Sequence, residues 1–163
     1  PLRRQRQMCI RDSNMSKHKP TILDVAHYIL ATIPDRPYGL FVPMLQKLCY
    51  YSQVCSLVYY REPLVDTEFE AWKNGPVNRE LHETLRGVLM AYPRDLKEGY
   101  GGVLSSRERS IVNSVVKQFG GMWHQSWLRQ VRAELPYLKA WQQGPGTPIS
   151  NQTIMGYYEP DPK

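Results

Sequence analysis

The chain has 163 residues, 42% hydrophobic and 22% charged, with a formal net charge of +6. That length and balance fit one soluble domain with a proper core, and no apolar run approaches the ~20 residues needed to span a bilayer. The basic N-terminus is followed by no apolar stretch and does not read as a secretory signal, so the expectation is a cytoplasmic protein of bacterial type with no membrane partner.

Residues 1–14 show no hydrophobic periodicity and carry Arg3, Arg4, Arg6 and Arg11 against Asp12 alone. The string Arg-Gln-Met-Cys-Ile-Arg-Asp-Ser at 6–13 resembles translated sequencing-adapter DNA. The segment reads as a non-native or disordered tail, and residues 15–163 as a single domain. Four arginines and one aspartate fewer leave a net charge of +3. A nucleic-acid partner argued from charge weakens accordingly.

Ile22, Val25, Ala26, Ile29, Leu30 and Ile33 recur at helical spacing, and Pro34 stops that helix. Pro43 suits the first turn of a second helix, with Leu45, Leu48, Ser52, Cys55 and Tyr59 on one face and an end near Tyr60, because Pro63 cannot continue it. Residues 64–72 alternate roughly, with Val65, Thr67, Phe69 and Ala71 opposite Asp66, Glu68 and Glu70. The pattern predicts a short strand or extended segment, half-buried. A lone strand needs a partner, either residues 38–42 or a strand of another chain. Asn74-Gly75-Pro76 reads as a rigid turn. Asn78 can cap a third helix with Leu81, Leu85, Val88 and Leu89 inward and Arg79, Glu80, Glu83 and Arg86 outward.

Residues 92–102 read as a loop. Ser105 with Glu108 is a capping box that opens a fourth helix, with Ile111, Val112, Val115, Val116 and Phe119 inward. After Gly120-Gly121, Trp123, Trp127, Leu128 and Val131 mark a fifth helix limited by Pro136. Residues 142–148 read as a loop, and Ser150 can cap a last helix reaching Tyr158. The predicted fold is mainly α: a single compact bundle of about six helices with a small β element, a short strand or hairpin, near residues 64–72.

No catalytic constellation emerges. His82-Glu83-Thr84-Leu85-Arg86 has arginine where a metalloprotease helix needs its second histidine. His27, His82 and His124 stand on separate elements with no ligand pairs. The glycines at 99, 101 and 102 lack the lysine and the spacing of a phosphate loop. Cys49 and Cys55, six apart on a helix, face different ways and read as small apolar residues. On an apolar helix they do not suit a reactive thiol. Asp66, Glu68 and Glu70 read as a solvated face.

Aromatic residues gather instead: Tyr50, Tyr51, Tyr59, Tyr60 and Trp72. About half belong in the core, and an exposed subset beside Lys73, Asn74 and Arg79 would make a binding face of the kind tyrosine and tryptophan favour. A strand with a free edge could also take up a partner's strand.

Two strings carry a family resemblance: Leu45-Gln46-Lys47-Leu48-Cys49-Tyr50-Tyr51-Ser52-Gln53 and Phe69-Glu70-Ala71-Trp72-Lys73-Asn74-Gly75-Pro76-Val77. Together they resemble the Panacea domain, the SocA-like antitoxin family, often phage-associated. Leu104-Ser105 and the stretch through Thr147-Pro148-Ile149-Ser150 to Tyr158 fit as well, so the resemblance runs from Thr21 to Tyr158. Cys55-Ser56-Leu57 and Asn74 depart from the family's usual residues. The resemblance implies a helical domain with a small β element and no catalytic residues. Its expected role is that of an antitoxin in a toxin-antitoxin system, neutralising a cognate protein toxin encoded nearby by direct contact. The partner-binding residues expected are Lys47, Tyr50, Tyr51, Trp72, Lys73, Asn74, Gly75, Pro76 and Arg79, with no metal or cofactor and with homo-oligomers open. The alternatives are a DNA-binding regulator of its own operon, whose best basic cluster is Arg107, Arg109 and Lys117, and an uncharacterised hydrolase.

Overall fold

A computed structural model of the chain describes residues 18–33, 37–122 and 124–158. The tail expected at residues 1–14, the helix stop at Pro34 and the side chain of Trp123 lie outside the described residues. The elements in order are α1 (Ile22–Thr32), β1 (Leu40–Phe41), α2 (Val42–Tyr60), β2 (Glu70–Trp72), β3 (Gly75–Val77), α3 (Arg79–Thr84), β4 (Met90–Ala91), α4 (Ser106–Phe119), α5 (His124–Ala133), α6 (Leu135–Gln143) and α7 (Asn151–Tyr157). The fold is mainly helical with small two-stranded sheet elements. No described helix is long and apolar enough to cross a membrane.

Local chemistry sets most boundaries. Thr21 and Asp24 form a reciprocal capping box on α1, as Ser105 and Glu108 do on α4, each satisfying amides that a helix start leaves unpaired. Asn78 caps α3 through the Leu81 amide, and Ser150 caps α7 through that of Thr153. Pro43 occupies the first turn of α2, where its missing N–H costs nothing.

α2 is the axis of the molecule. Fourteen of its 19 residues are buried, so it is surrounded rather than one-faced, and α1, α4, α7 and β3 pack around it. Burial on every side puts polar residues inside, and each must find partners. Gln53 accepts from the Leu64 and Val65 amides at 2.7 and 3.0 Å and donates to the Val65 carbonyl at 3.1 Å. Gln46 brackets Asn78 in the same way, accepting from its N–H at 2.9 Å and donating to its C=O at 3.1 Å. Ser52 and Ser56 donate to the carbonyls of Leu48 and Glu62.

Several expectations are corrected. Within the short strand or extended segment predicted over 64–72, the strand is Glu70–Trp72, and Leu64 and Val65 before it bond the amide of Gln53. Its partner is neither residues 38–42 nor another chain but β3, in antiparallel register with Ala71 opposite Pro76. Leu40–Phe41 pairs with Met90–Ala91 instead. The free edge is filled, because Ala71 N–H donates to Thr147 O at 2.9 Å and Gly146 and Ile149 N–H donate to Ala71 and Phe69 O. The hairpin loop is Lys73-Asn74, with Gly75 and Pro76 already in β3. Leu89 is 68% exposed rather than inward, since α3 stops at Thr84 and Gly87 turns the chain at φ +80°. The loop expected at 92–102 holds two 3-10 turns, at Pro93–Asp95 and Gly101–Val103. Pro136 does not merely limit α5; it opens α6, an unforeseen helix, and the helices number seven among the described residues.

Candidate functional site

The β2–β3 hairpin is anchored to the fold at its exit and at its tip. At its exit, the Gln46 amide holds both backbone groups of Asn78. The Asn78 side chain in turn donates to Thr67 Oγ1 at 2.8 Å and Glu68 O at 3.1 Å. At its tip, Tyr137 Oη of α6 donates to the Trp72 carbonyl at 2.6 Å, and the Arg132 guanidinium of α5 donates to the Lys73 carbonyl. Gly75, at φ +107°, lets α5 come close: a Cβ there would meet Lys47 Cε at 3.3 Å and Val131 Cγ1 at 3.4 Å.

The side chains at the tip are ordered as a set. The Trp72 indole N–H donates to Glu70 Oε2 at 3.1 Å, and Arg79 pairs with Glu70 Oε1 at 3.0 Å. The same guanidinium lies 5.6 Å from the indole centroid, and the His82 ring meets the indole edge-on at 4.7 Å. Trp72 is therefore held half-buried between a cation and an imidazole. Lys73 and Asn74 are exposed beside it, and the Arg79 side chain is 63% exposed.

The profile of the antitoxin SocA-like Panacea domain family matches residues 45–130. The chain belongs to the SocA-like antitoxin family. No curated protein and no solved structure matches it. The matched span is narrower than residues 21–158. It holds most of α2, the whole hairpin, α3, α4 and most of α5, and it stops just short of Arg132, Glu134 and Tyr137.

Of the nine residues expected at the binding face of this antitoxin-family domain, the structure brings Trp72, Lys73, Asn74 and Arg79 together at the surface. Gly75 and Pro76 are buried directly beneath them in β3. Lys47, Tyr50 and Tyr51 lie deeper, 1%, 0% and 4% exposed. Tyr51 stacks on Phe119 at 4.9 Å and leans on Trp127 at 5.1 Å, and Tyr50 meets Phe69 at 5.5 Å. These rings are core, so the tyrosine contribution to an exposed face falls to Tyr59 and Tyr60 at the end of α2, with Tyr60 already covered by Arg107 at 4.6 Å.

The buried polar groups have shifted acidities with plain causes. Burial, and then the charge of Arg132, lowers the Lys47 ammonium to about 8. Its Nζ reaches the Pro43 carbonyl at 3.3 Å, and among the described residues no carboxylate pairs with it. Burial raises the Glu134 carboxyl, while hydrogen bonds from Tyr51 and Gln130 pull it partly back. Glu134 also accepts from Tyr158, which ties α7 to the core. Burial, followed by Glu134, pushes the Tyr51 hydroxyl well above its ordinary range.

Glu70 and His82, which frame the indole, and Arg132 and Tyr137, which clamp the turn, were missed as functional residues. Glu70 shares a strand face with Trp72, and His82 stands one helical turn from Arg79; both spacings were available to find them. Arg132 and Tyr137 come from 59 and 65 residues away in sequence and left no local signal. In the basic cluster weighed for DNA, Arg107 is engaged by Glu62 at 2.7 Å.

Proposed function

We propose that this chain neutralises a cognate protein toxin, encoded nearby, by direct contact, and that the contact is centred on the hairpin tip. Trp72, Lys73, Asn74 and Arg79 touch the partner. Lys47, Tyr50, Tyr51, Gly75 and Pro76 act from beneath by fixing the shape of that surface. The observation that carries this reading is the anchoring of the tip: its backbone is bonded from α2, α5 and α6, and its indole is held by Glu70, Arg79 and His82. A surface ordered before binding loses little entropy on association, and a half-buried tryptophan beside an arginine is the chemistry of interface hot spots. The reading places the encounter in the cytoplasm and assigns no catalytic step, metal or cofactor.

The test is co-expression with the product of the adjacent reading frame. The wild-type chain is expected to restore growth and to co-purify with that product. Trp72→Ala and Arg79→Ala are expected to weaken binding about tenfold or more each, with an unchanged far-ultraviolet circular dichroism spectrum. Growth inhibition that persists with no co-purification defeats the antitoxin reading for that pair. Full affinity in both variants removes the tip from the contact.

A further inference from the structure

Charge in this chain is divided along the sequence. From Arg109 to Tyr158 there are five cations, Arg109, Lys117, Arg129, Arg132 and Lys139, and one acid, Glu134. Glu134 is 7% exposed and bonded to Tyr51 and Tyr158. The described surface of this stretch therefore offers no free carboxylate. Before it, four cations are paired with carboxylates: Lys19 with Asp66, Arg79 with Glu70, Arg86 with Glu83 and Arg107 with Glu62.

The two arginines of α5 fall on one line. Arg129 and Arg132 follow Gln125 at i+4 and i+7, which places the three along a single helix face. Arg132 ends that line on the Lys73 carbonyl and so fixes the backbone of Lys73, an exposed residue, at its foot. At the other end, a cleft of about 600 Å³ is lined by His124, Gln125, Ser126 and Arg129, none of them acidic. The acid closest in the hairpin, Glu70, is occupied by Arg79 and Trp72. Behind the strip, burial and then the charge of Arg132 lower the Lys47 ammonium.

We propose, resting on the antitoxin reading above, that the partner protein lays a negatively charged surface along α5, on Lys73, Arg129 and Arg132. Charge complementarity of this kind steers encounter and selects partners. The strip is continuous with the hairpin tip through the Arg132 contact, so one protein surface can cover both. Its three cations fall short of the 6–10 phosphate contacts of a salt-sensitive DNA site, and α5 is only ~15 Å long. An acidic protein face is the occupant that fits.

The experiment uses the full chain and two probes of equal total charge, a fluorescent polyglutamate peptide and a DNA duplex, read by anisotropy. The wild type is expected to bind polyglutamate with an affinity that falls modestly as salt is raised, and K73E/R129E to bind it about tenfold or more weakly. R109E/K117E, which reverses two cations on α4, is expected to stay within about twofold of wild type. Arg132 is left intact because it holds the hairpin turn, and K73A/R129A serves in place of the reversal should that variant fail to fold. The assignment is overturned by absence of polyglutamate binding, by equal losses in the α5 and α4 variants, or by tighter binding of the duplex through Lys73 and Arg129. Toxin neutralisation is read separately by co-expression, so loss of one result leaves the other standing.

Discussion

Replacing Gln46 by leucine removes one amide and preserves the side-chain volume. Gln46 is 3% exposed, and its amide bonds the backbone N–H and C=O of Asn78. Gln46→Leu therefore creates no cavity but leaves the buried Asn78 N–H without a partner, while the Asn78 carbonyl keeps the His82 N–H at 3.0 Å. One such group costs about 1–3 kcal/mol, and the variant should lose about that much. In a domain of this size that amounts to a fall in Tm of about 2–12 °C. The loss also loosens the exit of the hairpin, so the Asn78 amide should exchange with solvent much faster. Gln152→Leu is the control, the same chemical change at an exposed position of α7. Urea unfolding followed by circular dichroism gives the free energies, and hydrogen exchange by NMR gives the local opening. If Gln46→Leu stays within about 0.5 kcal/mol of Gln152→Leu and Asn78 remains protected, the glutamine bracket does not hold the hairpin, and the account of its rigidity fails.

Lys47 should impose a pH dependence of definite sign. Its folded value of about 8 lies below 10.5, so between the two the unfolded state binds the extra proton and stability rises with pH, by up to about 3 kcal/mol. Cys49, Tyr50 and Tyr51, all raised by burial, act oppositely in alkali but are shared with Lys47→Met. The stability advantage of Lys47→Met over wild type should thus shrink by about 3 kcal/mol between pH ~7 and ~10.5 in denaturant titrations; a constant difference contradicts the assignment. Gly75→Ala and Gly87→Ala each place a side chain at positive φ, but only the first adds crowding, from Lys47 Cε and Val131 Cγ1, since nothing lies within 4 Å of a Cβ at Gly87. Both should destabilise by about 1–3 kcal/mol, Gly75→Ala by about 1 kcal/mol more. Equal losses by urea titration would place no weight on the close approach of α5.

Helix positions and caps were legible because they are written locally. Thr21, Asn78, Ser105 and Ser150 sit where short polar side chains can satisfy first-turn amides, and the apolar residues of α1 and α4 recur at the right spacing. α6 has no distinct local signal, because Pro136 suits a helix's first turn as well as a helix's end. At 64–72 alternation alone does not distinguish a ladder from an extended segment tied to a side-chain amide, and the structure holds both. The binding face was legible in part. Tyr50 and Tyr51 are as fit for an interface as for a core, and what places them inside is the enclosure of α2 on every side, a tertiary fact that no window of sequence contains. The exposed members, Trp72 through Asn74 and Arg79, lie on the turn and helix start where surface was expected.

The division between buried and exposed positions bears on what family membership means for this chain. Most of the residues that carry the resemblance are interior: Leu45, Leu48, Tyr50, Tyr51 and Gln53 on α2, with Phe69, Ala71, Gly75 and Pro76 in the hairpin. They are constrained by packing density and by the partners of buried amides, conditions that any protein with this hairpin on this helix must meet. Lys73, Asn74 and Arg79 answer to no such condition, because solvent tolerates many side chains at those points. Arg132 and Tyr137, which aim the turn, lie beyond the matched span of 45–130. Membership therefore identifies the platform, an anchored hairpin on an enclosed helix. On the function proposed above, the choice of partner falls to the tip and to Arg129 on α5, exposed positions where substitution leaves the platform standing.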